Sequence, residues 1–78
     1  MTKAHEEIIN FIASGPSSKA VTGFMASEEA QQRVEELIRK QKREGLLPDE
    51  AEELSDFVQL EKLMRQAKAR ARTLLGRE

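Results

Sequence analysis

The side chains that could do chemistry in this sequence are few and badly matched. His5 is the single histidine, and cysteine is absent, so there is no thiol for it to activate and no cysteine–histidine metal site. A structural zinc site takes four nitrogen, sulfur or oxygen ligands, which one histidine cannot anchor. Ser17, Ser18 and Ser27 stand where they can cap helices, outside any nucleophile-elbow pattern. Paired acids such as Glu28-Glu29, Glu35-Glu36 and Glu52-Glu53 lie in charge-rich helical stretches expected to face water. General acid–base work needs a desolvated carboxyl with a shifted pKa, and these are read as solvated. Gly15-Pro16-Ser17-Ser18 resembles a phosphate-cradling helix start only in outline, without the lysine and glycine spacing of a P-loop. The expectation is a protein that is not an enzyme and carries no cofactor or metal.

Two features of the last third of the chain suggest recognition instead. Phe57, Leu60, Met64, Ala67, Ala71 and Leu74 recur at spacings of 3 and 4, the a/d pattern of a helix seam. Leu54, Val58, Leu63 and Leu75 widen the apolar side. Charge is segregated along the same stretch. Asp49, Glu50, Glu52, Glu53, Asp56 and Glu61 precede Lys62, Arg65, Lys68, Arg70, Arg72 and Arg77, with no intermixing. Acid first and base last complements the helix dipole, and it also leaves a basic tip able to meet an acidic surface or phosphates. Arg39-Lys40-Gln41-Lys42-Arg43 forms a second basic cluster, beside the acidic start of the last helix if the two stretches pair.

These features need helices to position them, and the punctuation supplies four. The first is expected over Lys3 to Ala13, with Thr2 as N-cap and Gly15-Pro16 as stop; Ala4, Ile8, Phe11 and Ile12 share its inner face, with Ile9 on the flank. A short second helix over Lys19 to Phe24 turns Ala20, Val21 and Phe24 inward. Ser27 caps a third, running to Glu44, with Ala30, Val34, Leu37 and Ile38 as its stripe and Gly45 as its stop. Glu29–Arg33, Glu35–Arg39 and Glu36–Lys40 are i,i+4 pairs in the favourable order along it. Pro48 opens a fourth helix from Asp49 to Leu75, unbroken by Gly or Pro; Leu47 is a poor cap because it has no side-chain oxygen.

The fold class expected is all-α: one domain over residues 1–78, built on an antiparallel hairpin of the third and fourth helices, with the two short N-terminal helices on one side. A helix of 27 residues is about 40 Å long, whereas a compact chain of 78 residues has a radius of gyration of about 11–12 Å. Residues 62–78 are therefore expected to protrude, and an Asp at Ala71 to leave the fold intact while abolishing binding.

Composition sets the remaining bounds. Thirteen basic and 14 acidic groups nearly cancel, which makes nucleic acid an improbable partner on global charge. No apolar run approaches the roughly 20 residues of a membrane span, and the N-terminus lacks the regions of a signal peptide, so a cytoplasmic protein is expected. With 4% aromatic residues and neither Trp nor Tyr, an interface should be aliphatic. A small core without disulfides commonly gains stability from a partner, another protein or a second copy.

The order of Phe11-Ile12-Ala13-Ser14-Gly15-Pro16-Ser17, Phe24-Met25-Ala26-Ser27-Glu28, Gly45-Leu46-Leu47-Pro48-Asp49-Glu50 and the run from Leu60 to Arg72 resembles a group of short bacterial, notably cyanobacterial, proteins. These are encoded beside HNH-type nucleases in antitoxin-like two-gene arrangements, and the similarity covers about residues 5 to 75. One departure is Leu47, where a capping Thr or Ser would be expected. The resemblance implies an antidote role with the nuclease as partner. The residues expected to carry it are Leu60, Leu63, Met64, Ala67, Ala71, Leu74 and Leu75, flanked by Arg65, Lys68, Arg70 and Arg72. A structural homodimer through the same seam, or a sequence-independent nucleic-acid binder using the basic tip, are the alternatives.

Overall fold

Helix boundaries follow the caps closely. The computed structural model describes residues 3–76 and is all-α: α1 (Ala4–Ala13), α2 (Ser18–Gly23), α3 (Glu28–Arg43) and α4 (Pro48–Leu75). Lys3 occupies the N-cap of α1 without a side-chain bond, and Thr2, the expected cap, lies outside the described residues. Ser17 Oγ accepts the Ala20 N–H at 3.1 Å, which starts α2 one residue early, and Ser27 Oγ accepts the Ala30 N–H at 3.1 Å to start α3. Each hydroxyl satisfies one of the orphan donors of a first helical turn. Gly15 and Gly45 follow α1 and α3 with φ of +69° and +87°, and a Cβ at either would meet nothing within 4 Å. Glycine is used there for its backbone freedom, not for space. Pro48 takes the first position of α4, and the Leu47 N–H donates to Glu50 Oε1 at 2.9 Å, half of a capping box.

The long helix is the spine. Its 28 residues run about 42 Å, and the molecule measures 50 × 21 × 19 Å with a radius of gyration of 14.3 Å. α3 turns back along the first half of α4, as the hairpin reading expects: Arg33 meets Glu53, and Lys40 meets Glu50. α1 runs parallel to α4, because its start lies by Glu53 while His5 and Ile9 share a groove with Asp56, Leu60 and Leu63. A ten-residue helix beginning level with Glu53 ends near Leu63, so the chain passes Gly15 and lays α2 against the second half of the spine. α2 and α1 touch α4 far more extensively than α3 does, so the hairpin is the lighter of the packings.

The core is one cluster along the inner face of the spine. Ala4 and Ile8 of α1, Ala30 of α3, and Phe57 and Met64 of α4 are buried together, with Phe11, Val21, Phe24, Val34 and Leu60 packed around them. Phe11 and Phe24 stack at 4.4 Å between ring centroids, tying the end of α1 to the segment after α2. Ile12 and Ile9, by contrast, are 43% and 46% exposed, and Ala20 faces solvent. Ile12 thus corrects the expected inner face of α1: four apolar residues at helical spacing exceed the width that a single spine can cover.

Candidate protein-interaction surface

Side chains on α4 advance about 100° per residue, and the residues expected to bind a partner separate into three sectors. The inner sector holds Leu60, Met64, Ala67, Ala71 and Leu75, all buried or half-buried by the chain itself. Ala71, at 3% exposed, corrects the expectation that the 62–78 end projects clear of the domain. Small side chains at Ala67 and Ala71 allow close helix approach, and it is the chain's own α2 that packs on this half of the spine. Arg77, the last base of the basic run, lies outside the described residues.

A second sector is basic. Arg65, Lys68 and Arg72 lie on one flank, with Arg65 and Arg72 exposed. Beside them runs a groove of about 260 Å³ with Phe24, Phe57 and Met64 on its floor and Arg65, Lys68 and Glu61 along its rim. Met25 stands at its edge, 78% exposed. An unbranched thioether on an apolar floor beside cations adapts well to a partner surface. The sequence reading passed over Met25 because it falls between helices, where periodicity says nothing.

The third sector is apolar. Leu63 and Leu74 are about half exposed on the opposite flank, with Arg70 between them. Leu60 and Leu63 meet His5 and Ile9 across a more open groove of about 420 Å³, also lined by Asp56 and Gln59. Ile12 follows Ile9 one turn on along α1, so an apolar band crosses both helices. A smaller patch of Leu46, Leu54 and Val58 lies at the hairpin end.

Charge pairing fixes the platform under these surfaces. Arg33 donates to both oxygens of Glu53, Nε to Oε2 and Nη2 to Oε1, each at 3.1 Å. Glu53 is only 5% exposed, which corrects the expectation that the paired acids all face water. Its carboxyl is held below the ordinary range, chiefly by the Arg33 hydrogen bonds, against the opposing effect of burial; the charge of Arg33 and the Ala4 backbone N–H add to the lowering. Both oxygens being engaged by a guanidinium, this acid is a structural link among α1, α3 and α4. Lys40 Nζ likewise donates to both oxygens of Glu50 at 2.9 Å, and that carboxyl is lowered first by Lys40 and next by the Leu47 N–H. Arg33 and Lys40 were expected to pair with Glu29 and Glu36 along their own helix. Arg33 retains only a 3.9 Å approach to Glu36, while Glu35–Arg39 forms as expected, exposed and at 4.0 Å.

One further link is long in sequence. Glu7 Oε1 accepts the Ser27 N–H at 2.9 Å, and its second oxygen accepts the Ser27 hydroxyl. A carboxylate from α1 thereby sits at the positive end of α3, where the dipole favours it.

No protein-family model, curated protein or solved structure matches this chain. No helix among the described residues is long and apolar enough to cross a membrane.

Proposed function

We propose that this protein is an antitoxin-like module that binds and restrains a nuclease partner through the C-terminal half of α4. The observation that carries the reading is the groove beside the basic flank. Exposed Met25 and an apolar floor supply contact area, Arg65 and Lys68 supply cations at the rim, and Arg72 extends the same basic flank. The resemblance to short bacterial proteins encoded beside HNH-type nucleases supplies the class of partner.

Charge sign constrains the mode of restraint. A nuclease must present a positive cleft to phosphates, and like charges facing each other across an interface are costly. The basic flank therefore suits an acidic patch away from the DNA cleft, which gives restraint by locking the enzyme's conformation. The test is to mix the purified chain with an HNH-type nuclease from the same genome and follow DNA binding and cleavage separately. The expected result is a stable complex that still binds DNA but no longer cuts it. Met25→Asp and the pair Arg65→Glu/Lys68→Glu should each release cleavage by tenfold or more. Absence of a complex would sink the reading, as would salt-sensitive binding of this chain to random duplex, which would make it a nucleic-acid binder.

A further inference from the structure

The opposite flank of α4 is built to pair with itself. Ile9 and Ile12 of α1 and Leu63 of α4 form an exposed aliphatic band, with Leu74 exposed further along the same flank, each residue between 43% and 49% accessible. The chain's accessible surface of 5780 Å² compares with roughly 4,800 Å² for a compact monomer of its mass. The excess of about 1,000 Å² is near the 800 Å² or so that each partner gives up in a standard interface. An aliphatic band of this kind fits many partners, but the charges bordering it select one.

Asp56 lies seven residues before Leu63, and Arg70 seven residues after it, on the same flank. Seven residues are two turns, about 10 Å. A twofold axis through Leu63, with two copies of α4 antiparallel, places Asp56 of each copy opposite Arg70 of the other. A parallel arrangement would set Asp56 against Asp56 and Arg70 against Arg70. The acid-to-base polarity of the whole helix, from Asp49–Glu61 to Lys62–Arg72, reinforces the same choice. We infer that a second copy of this chain docks here, giving an antiparallel, isologous dimer centred on Leu63, as closed symmetric pairs require self-complementary patches. Exposed ion pairs contribute little affinity; here they set direction and register, while the aliphatic band supplies the contact. This inference does not depend on the nuclease reading, which uses the other flank, and its test needs no nuclease.

The full chain lacks cysteine, which makes a crosslinking test clean. Leu63→Cys should oxidise to a covalent dimer, because the two residues meet on the axis. Asp56→Cys should not, because its two copies lie 14 residues, about 21 Å, apart along the antiparallel pair. Sedimentation of the unmodified chain should show dimer at tens of micromolar. Leu63→Glu should give monomer with unchanged helix content, since that side chain is half exposed in the fold. Asp56→Arg should weaken the dimer by fivefold or more, and adding Arg70→Asp should restore it. The inference is overturned by a monomer at all concentrations up to millimolar, by a dimer that survives Leu63→Glu, or by a failure of the charge swap to rescue. Ready crosslinking of Asp56→Cys overturns it equally, since that requires parallel helices.

Discussion

The two halves of α4 are held by different physics. Its first half lies between α1 and α3 and is fastened by a large buried side chain, Phe57, and by the Arg33–Glu53 and Lys40–Glu50 pairs. Its second half has α2 against it and, beyond Met64 at the edge of the core, is fastened by small residues, Ala67 and Ala71, with no ion pair to α2 among the described residues. A six-residue helix cannot bring a bulky stripe of its own, so close approach over alanine substitutes for side-chain volume. Each half keeps an open flank, at Val58 on the first and at Leu63 and Leu74 on the second.

The largest effect should come from the half fastened by the aromatic ring. Phe57→Ala removes an aromatic ring from the centre of the core, a change that costs about 3–5 kcal/mol. For a domain this small that approaches the entire stability, and thermal unfolding by circular dichroism should show little folded protein at 37 °C.

Ala71→Asp is the matching probe of the second half. A carboxylate placed where the native residue is 3% exposed should cost about 2–3 kcal/mol. The loss should be local first, with amide exchange speeding up over residues 18–23 while α1 and α3 remain protected. Uniform loss of protection would mean that the halves unfold as one unit.

Acidification separates the halves in another way. Because the folded-state pKa of Glu53 is depressed, its stabilising contribution is complete above the ordinary carboxylate pKa of about 4.3 and is lost as pH falls through the lower folded value. Stability should therefore drop steeply below about pH 4.5 in the wild type. Glu53→Gln should start lower and fall less steeply with acid. An unchanged slope would show that the pair contributes nothing measurable. The smallest effect is expected for Glu35→Ala, which removes an exposed 4.0 Å pair and should shift stability by under about 0.5 kcal/mol.

Much of the architecture was legible in the residues. Ser17, Ser27, Gly15, Gly45 and Pro48 mark helix ends through local bonding and backbone freedom, which depend on near neighbours alone, and the structure places each end within a residue or so of its expected position. What covers each face was not legible, because that depends on where other helices lie. Lys40 meets Glu50 as the placing of the 39–43 basic cluster beside the acidic start of α4 expects, whereas Arg33 had an acid four residues away and another across the hairpin, and nothing in the spacing favours one over the other. Periodicity likewise registers Ile12 and Ala71 as apolar without saying that Ile12 ends outside and Ala71 beneath α2. On the candidate surface, Leu63, Leu74, Arg65, Arg70 and Arg72 are named from the sequence and lie exposed, whereas Met25 needs three dimensions to stand out.

The position of the spine has a consequence for how the chain is made. α1, α2 and α3 all rest on α4, and α4 leaves the ribosome after all three of them. During synthesis, at about 5–20 residues per second, the first three helices wait for seconds with only the α1–α3 packing and the Phe11–Phe24 stack available to them. Isolated helices of this length are marginal in water. Ile8, Phe11 and Phe24 are thus open to chaperones or proteases until α4 has emerged, and any stall before residue 57 leaves a nascent chain with no spine to fold upon.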